Sequence, residues 1–248
     1  MIILLKMIFD EYVKKIDFRF QKPHQRLWGF YRLSHLLSII NISLEIINTK
    51  LPEEKREMKK NLSPLCSIPK MSTFAVGAII NRAVSFLPND TCYVNVGVWN
   101  GFSLLAGMAG NYKKKCIGVD NFTDPTRFGN PKSQFIQRFE KYKSSHHHFY
   151  EMNYVDYFPM VHTSPIGLYF YDGDHSYDNQ LNGLKIAEPF FSQDCVILVD
   201  DTNRRQPRQA TLDFIQSSSN NYQMLLDKTT SCNGNPTFWN GIMIFRRC

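Results

Sequence analysis

The sequence predicts an α/β fold in which a mostly parallel sheet carries helices on both faces. Short apolar runs that are rich in β-branched and aromatic residues, such as residues 166–171 and 196–199, are typical of buried strands. Segments with apolar residues at helical spacing alternate with these runs, which is the pattern of a doubly wound sheet. Pro64 and Pro69 mark a boundary, so we expect an N-terminal helical accessory region over residues 1–70 and the main domain over residues 71–248.

The N-terminal region has a helical pattern but no distinct motif. Apolar residues recur at helical spacing at Ile8, Tyr12 and Ile16, and more loosely over residues 36–44, with Pro23 between the two stretches. The region could cover the active site, form the face of a homo-oligomer or lie on a membrane surface, and we expect an accessory cap. Its first nine residues are too short to span a membrane and lack a cleavage site, so we expect a cytoplasmic protein without stable membrane insertion.

Charge and cysteine content exclude little by themselves. The net charge of +7 permits an anionic substrate, nucleic acid or a membrane surface. No basic stripe with interleaved aromatic residues is present, so we expect no nucleic-acid partner. None of the six cysteines forms a CxxC pair, which predicts reduced thiols, and three of them lie in or beside predicted strands.

The main domain can be divided into elements in chain order. Helices are predicted over residues 72–87, from residue 103, and over residues 133–142, 177–189 and 209–217. Strands are predicted over residues 91–96, 115–120, 146–153, 166–171, 196–201, 222–226 and 238–245. The three histidines at 146–148 could bind a metal, but successive side chains of a strand point to opposite faces, so we expect the exposed start of a strand.

A glycine-containing turn follows the first of these strands. Gly97 and Gly101 would let the backbone approach a ligand, and the helix that begins near Ser103 offers free N–H groups behind them. The spacing is G-x-x-x-G rather than G-x-G-x-x-G, which argues against NAD and leaves other nucleotide-like cofactors open. Asp120 ends the next strand about 20 residues later, where an acid can accept hydrogen bonds from ribose hydroxyls. Asn153 falls where the third strand would end at the cofactor.

Carboxylates end two further strands. Asp172 and Asp174 follow one apolar run, and Asp200 and Asp201 end another. Parallel strands bring their carboxyl ends to one edge of a sheet, where the acids would repel one another and raise one another's pKa. A hard cation such as Mg²⁺ takes oxygen ligands and would resolve this conflict, so we predict a metal-dependent active site. Arginines in a predicted loop over residues 203–208 could balance the field, grip a phosphate or carboxylate, or simply be solvated.

The ordered motifs resemble the class I S-adenosylmethionine-dependent methyltransferases, and within them the metal-dependent group that includes macrocin O-methyltransferase. Residues 94–101 and 118–122 are similar to the two cofactor loops of that family, and residues 172–177 and 199–201 to its metal and catalytic motifs. The resemblance covers residues 72–248 and implies a Rossmann-like, seven-stranded sheet with an antiparallel last strand at residues 238–245. Asn95 departs from the pattern, because the first loop of the family usually begins with an acid that would partner the cationic end of the cofactor.

The resemblance also implies an activity and a set of site residues. The expected reaction is methyl transfer from S-adenosylmethionine to a hydroxyl of a small molecule, such as a sugar, a glycosylated metabolite or an anionic metabolite. The cofactor would be bound by Asn95, Gly97, Gly101, Ser103, Asp120, Asn153 and Asp172. A Mg²⁺ ion or another divalent cation would be held by Asp172, Asp200 and Asp201. The general base would be Asp174 or His175, and the choice between them stays open.

Two other interpretations compete with this one. Asp172 and Asp174 form a DxD pair, which could hold a metal on the diphosphate of a nucleotide sugar in a glycosyltransferase. The glycine loop and Asp120 fit that interpretation poorly. A non-catalytic member of the methyltransferase fold, binding a partner through its N-terminal helices, is supported only by Asn95.

Overall fold

The computed structural model describes residues 2–25, 43–52, 56–123 and 131–248, and for residues 2–6 it describes the backbone only. The helices are α1 (Ile2–Lys15), α2 (Leu44–Asn48), α3 (Arg56–Leu62), α4 (Phe74–Ser85), α5 (Phe102–Met108), α6 (Lys132–Tyr142), α7 (Tyr154–Met160), α8 (Tyr177–Ala187) and α9 (Arg205–Ser217). The strands are β1 (Asp17–Phe18), β2 (Thr49–Lys50), β3 (Cys92–Val96), β4 (Lys115–Val119), β5 (His147–Tyr150), β6 (Ile166–Tyr171), β7 (Phe191–Asp200), β8 (Tyr222–Lys228) and β9 (Ile242–Arg247).

Strands β3 to β9 form one sheet of seven strands in the order β5-β4-β3-β6-β7-β9-β8 in the described part of the chain. The pairs β3–β4, β4–β5, β3–β6 and β6–β7 are parallel, and β9 runs antiparallel to both β7 and β8. The predicted fold class, including the antiparallel last strand, is confirmed. The chain leaves β3 in one direction to form β4 and β5 and returns to its other side to form β6 and β7. Ligands of such sheets bind at this reversal, beyond the carboxyl ends of the strands.

Both faces of the sheet are covered, as the near-continuous apolar strands require. All six residues of β6 are buried. Leu168 and Phe170 face a cluster that contains side chains of α4 and α5, while Tyr169 and Tyr171 face a second cluster with side chains of α7, α8 and α9. This alternation fixes the register of β6, because a shift of one residue would exchange its two faces.

The described N-terminal residues pack against this sheet. Phe9 and Tyr12 of α1 belong to the same buried cluster as α4, and Asp10 forms an ion pair with Arg246 of β9 at 2.7 Å. None of the described helices is long and apolar enough to cross a membrane. The division of the chain near residue 70 and a homo-oligomer through this region stay predictions. The predicted helical stretch over residues 36–42 lies outside the described residues.

The structure corrects several local predictions. Helix α9 begins at Arg205, so the predicted loop over residues 205–208 is wrong; Pro207 is tolerated because N–H groups in the first turn have no partner within the helix. Strand β9 begins at Ile242 rather than at residue 238, since Trp239 and Gly241 adopt left-handed turn conformations with φ of 53° and 87°. His147 is 4% exposed rather than part of an exposed strand start. Cys92, Cys116 and Cys195, the three cysteines in strands, are buried free thiols, as predicted.

Candidate active site

The carboxyl ends of neighbouring strands bring the predicted site residues to one edge of the sheet. Asn95 lies near the end of β3, Asp120 directly follows β4, Asp172 directly follows β6 and Asp200 ends β7. Because β4, β3, β6 and β7 are adjacent and parallel, these side chains meet on the same side of the sheet. The distant strand ends therefore lie together, and their role as one functional site stays a prediction.

The acids at the ends of β6 and β7 form an electrostatically strained group, in which Asp200 is buried and Asp172 and Asp201 are partly exposed. Asp200 is 2% exposed, and its Oδ1 atom has no hydrogen-bond partner. Burial, together with the negative charges of Asp172 and Asp201, raises the pKa of Asp200 well above its ordinary value. Burial also raises the pKa of Asp172, with a further contribution from the charges of Asp201 and Asp120. A positive charge at this edge would relieve the repulsion.

His175 lies between two of these acids. Its Nε2 atom is 3.5 Å from Asp172 Oδ1 and 3.8 Å from Asp201 Oδ2, and its Nδ1 atom is buried without a partner. Burial alone would lower the pKa of His175, but the hydrogen bond to Asp172 and the charges of Asp172 and Asp201 outweigh it and raise the pKa. The imidazole therefore has an environment that favours its protonated form.

Asp201 is held in an unusual conformation by Asn240, which sequence reasoning missed, and by Arg204, one of the arginines expected to balance the field of the acids. Its φ of 57° is left-handed, which an aspartate tolerates better than most residues. The Asn240 amide donates to Asp201 Oδ1 at 3.0 Å, and Arg204 Nη1 lies 3.5 Å from Asp201 Oδ2. Asn240 lies in the turn before β9, 39 residues after Asp201. The sequence gives only one hint of this contact, the position of Asn240 directly before Gly241.

Asp174 lies apart from the other acids. It is exposed, and its Oδ1 atom accepts a hydrogen bond from the Ser176 backbone N–H at 2.7 Å, in the turn that leads into α8. This bond lowers the pKa of Asp174. The side chain thus organises the start of a helix, and it does not pair with Asp172 as the two acids of a metal-binding DxD would.

The negative charges of Asp172, Asp200 and Asp201 favour a bound cation, but the three carboxylates are not arranged as metal ligands. In the part of the chain that the structure describes, no group of three or more His, Cys, Asp or Glu side chains is placed to hold a metal ion. Asp201 Oδ1 is occupied by Asn240, and His175 lies between Asp172 and Asp201. The predicted ligands Asp172, Asp200 and Asp201 are therefore neighbours without forming a ready ligand set.

The loop between β3 and α5, residues 97–101, is fixed by side chains on both sides. We refer to it as the glycine loop. Asn95 is fully buried, and it accepts a hydrogen bond from Ser103 Oγ at 2.7 Å and donates one to the Gly97 carbonyl at 3.1 Å. Asp120 Oδ2 accepts the backbone N–H groups of Val98 at 2.7 Å and Trp99 at 2.8 Å.

Asp120 retains part of its predicted capacity to bind ribose. Its Oδ1 atom accepts the Phe122 N–H at 2.8 Å, in addition to the two bonds that Oδ2 accepts. A carboxylate has about four lone-pair positions, so roughly one is left for a ligand hydroxyl. The sequence placed this acid correctly, but it could not predict that the glycine loop itself would use most of its acceptors.

Close packing alone requires glycine at both positions of the loop, Gly97 and Gly101. Both have positive φ, and a Cβ atom on Gly97 would lie 2.0 Å from the Asp172 carbonyl oxygen. A Cβ atom on Gly101 would lie 2.7 Å from the Phe135 ring. Asn153, another predicted cofactor residue, is exposed and caps α7 by accepting the Val155 N–H at 3.1 Å. These contacts leave the cofactor roles of the three residues as predictions.

Comparisons with known proteins agree with this geometry. A family model described as a methyltransferase domain matches residues 94–202, a range that contains every predicted site residue from Asn95 to Asp201. The uncharacterized protein R132 of Acanthamoeba polyphaga mimivirus is 29% identical over 124 residues, which are 49% of this chain and 56% of that protein. The chain thus matches little more than half the length of this relative.

Solved structures resemble the whole fold at low sequence identity. The SAH-bound methyltransferase PaMTH1 of Podospora anserina has a TM-score of 0.57 at 13% identity, covering 90% of this chain and 99% of that one. An O-methyltransferase from Bacillus cereus in complex with SAH has a TM-score of 0.54 at 11% identity, covering 88% and 97%. The chain has the Rossmann-like methyltransferase fold. The O-methyltransferase TomG of Streptomyces achromogenes, in complex with SAM, has a TM-score of 0.52 at 12% identity, covering 89% and 99%.

Proposed function

We propose that the protein is an S-adenosylmethionine-dependent O-methyltransferase that acts on a hydroxyl of a small molecule. The observation that carries the proposal is the position of His175 between Asp172 and Asp201, at the carboxyl edge of the sheet beside the glycine loop. The match to a methyltransferase domain and the SAM- and SAH-bound structures of the same fold support the cofactor.

The residues at this edge suit such a cofactor. S-adenosylmethionine, when bound, supplies an activated methyl group on a positively charged sulfur, and it carries a second positive charge on its ammonium group. The mutually repelling acids Asp172 and Asp200, whose pKa values are raised, would be relieved by a nearby cation. Asp120 keeps an acceptor position for a ribose hydroxyl beside the loop. Gly97, Gly101, Ser103 and Asn153 remain predicted contacts.

His175 is a better general base than Asp174 for deprotonating the acceptor hydroxyl. The neutral imidazole keeps its proton on Nε2, which faces Asp172 and Asp201, so the lone pair that can accept the proton of the acceptor hydroxyl is that of Nδ1, which has no partner. The carboxylates of Asp172 and Asp201 then stabilise the imidazolium through Nε2–H. The carboxylate of Asp174 is already engaged at the start of α8, and its lowered pKa makes it a weak base. Asn240 and Arg204 keep Asp201 in place for this task.

The experiment that tests the proposal measures methyl transfer from isotopically labelled S-adenosylmethionine to a panel of hydroxyl-bearing small molecules, with sugars and anionic sugars included. We expect label in at least one acceptor with the wild-type protein. His175→Asn should lose this transfer, and Asp174→Asn, which can still accept the Ser176 N–H, should retain most of it. Transfer that survives in His175→Asn would exclude His175 as the base.

Dependence on Mg²⁺ or another divalent cation stays a separate prediction. The unpartnered, buried oxygen of Asp200 and its acidic neighbours favour a cation, whereas the absence of a ready ligand set among the described residues does not. We therefore assign no step of the reaction to a metal. If Asp172, Asp200 and Asp201 hold one, a chelator should abolish transfer and added Mg²⁺ should restore it. Unchanged transfer with the chelator would rule out metal dependence.

The competing interpretations have lost support. A DxD glycosyltransferase would need Asp172 and Asp174 to bind one metal together. Here Asp172 lies beside His175, and Asp174 accepts the Ser176 N–H at the start of α8. The non-catalytic interpretation depended on Asn95, which has a structural task in the glycine loop. A sugar acceptor, membership of the macrocin-like group and a cytoplasmic location remain predictions from the sequence.

A further inference from the structure

Asn95 is the residue at which this chain departs from the pattern that it resembles, and its surroundings differ from those of a ligand-binding acid. The side chain is fully buried. Its Nδ2 atom donates to the carbonyl oxygens of Gly97 at 3.1 Å and Val96 at 3.4 Å, and its Oδ1 atom accepts from Ser103 Oγ at 2.7 Å. The amide uses both of its ends within the protein and exposes none of its surface to a ligand.

These bonds connect the two ends of the glycine loop. Gly97 begins the loop, and Ser103 lies in the first turn of α5, directly after it. The Gly97 carbonyl is held while its Cα packs so closely on Asp172 that no side chain would fit. The far side of the loop is held by Asp120, which accepts the Val98 and Trp99 N–H groups. Asn95 at the base and Asp120 at the crest thus fix the loop before any ligand arrives.

We propose that Asn95 is a positioning residue that sets the shape of the glycine loop for the cofactor, and that its amide cannot be replaced by the family-typical acid. This inference rests on the proposed function. An aspartate at position 95 would turn the two N–H donors into a carboxylate oxygen that faces carbonyl oxygens 3.1 Å and 3.4 Å away, in a buried place. If an acid at position 95 instead paired with the cationic end of the cofactor, Asn95→Asp would bind the cofactor more tightly.

The glycine loop offers a matched control for this substitution. Asn100 is 5% exposed, and its Oδ1 atom accepts from Arg138 Nη1 at 3.1 Å. The change Asn100→Asp replaces the same amide by the same carboxylate, but beside a guanidinium instead of carbonyl oxygens. A charge-assisted bond to arginine is stronger than a neutral one, so this change should be tolerated.

The experiment measures thermal unfolding of the full-length protein and its affinity for S-adenosylhomocysteine by calorimetry, for the wild type, Asn95→Asp and Asn100→Asp. We expect Asn95→Asp to unfold at a lower temperature and to bind about tenfold more weakly or worse, because two donors are lost and a repulsion is added. We expect Asn100→Asp, which serves as the control for stability alone, to unfold at the temperature of the wild type. Equal or tighter binding by Asn95→Asp would overturn the proposal.

A third variant decides the matter if Asn95→Asp does not fold. Asn95→Ala removes both ends of the amide without adding a charge, and weaker S-adenosylhomocysteine binding by this folded variant would support the positioning role. Unchanged binding in Asn95→Ala would overturn it. Failure of the wild type itself to bind S-adenosylhomocysteine would count against the proposed function and not against the local argument, which the unfolding temperatures of Asn95→Asp and Asn100→Asp still test.

Discussion

Asp200 is expected to limit the stability of the free protein. Its carboxyl is 2% exposed, has an oxygen without a hydrogen-bond partner and lies near the charges of Asp172 and Asp201. A buried group left without its partner costs about 1–3 kcal/mol, and more when it is charged. We therefore expect Asp200→Asn, which removes the charge at almost constant volume, to raise the free energy of unfolding by about 1–3 kcal/mol at pH 7.5. A gain of 1 kcal/mol corresponds to roughly 2–4 °C in Tm for a domain of this size.

The sign of the pH dependence gives a second check on Asp200. Since the pKa of Asp200 is raised in the folded protein, the folded state holds the proton at pH values where the unfolded chain has released it. The contribution of Asp200 to stability therefore decreases as the pH rises above the ordinary aspartate pKa. The gain from Asp200→Asn should be small near pH 4 and should grow toward neutral pH.

The assay is urea unfolding of the wild type, Asp200→Asn and the neighbouring control Asp201→Asn across this pH range. Both oxygens of Asp201 have partners, in Asn240, Arg204 and His175, so the interactions lost in Asp201→Asn offset the repulsion relieved at Asp200, and we expect a clearly smaller gain. Turnover should fall in Asp200→Asn even as its stability rises, because active sites often retain strain at the expense of stability. A loss of stability in Asp200→Asn, or an equal gain in both variants, would contradict the unfavourable burial of the Asp200 carboxylate.

Three further predictions follow from single residues. His175→Asn should lose methyl transfer while keeping its affinity for S-adenosylhomocysteine, whereas Asp174→Asn should keep both; calorimetry beside the transfer assay separates the two. Gly97→Ala should be destabilised and lose cofactor affinity, because its φ of 82° and a Cβ 2.0 Å from a backbone carbonyl oxygen leave no room; wild-type unfolding would contradict this. Burial lowers the pKa of His162 to about 4, so stability should fall as the pH drops from about 6.5 toward 4, and His162→Gln should flatten that slope in urea unfolding.

The acids of the site could be predicted because their place in the fold follows from local sequence alone. Each of them directly follows or ends an apolar run, so the strand assignment carries Asp120, Asp172 and Asp200 to the same edge of the sheet. His175 follows Asp172 by only three residues, so it had to lie close to the same edge of the sheet. The sequence therefore predicted which side chains lie near one another, because strand assignment and the parallel topology determine that.

The partners of these side chains could not be predicted, because they depend on the exact path of turns. Asn240 reaches Asp201 only because the turn before β9 adopts left-handed conformations at Trp239 and Gly241. Asp120 turns toward the glycine loop because two backbone N–H groups of that loop point at it. In the same way, residues 205–208 belong to α9 rather than to the predicted loop, since a proline at position 207, in the first turn, leaves that helix intact.

The central claim is that the carboxyl edge of this sheet binds S-adenosylmethionine and transfers its methyl group. The most direct measurement is calorimetric titration of the purified wild-type protein with S-adenosylhomocysteine, once with a chelator and once with Mg²⁺. We expect one binding site per chain under both conditions, lost in Gly97→Ala and retained in His175→Asn. No binding under either condition would contradict the assignment of this edge as a cofactor site, and with it the proposed methyltransferase.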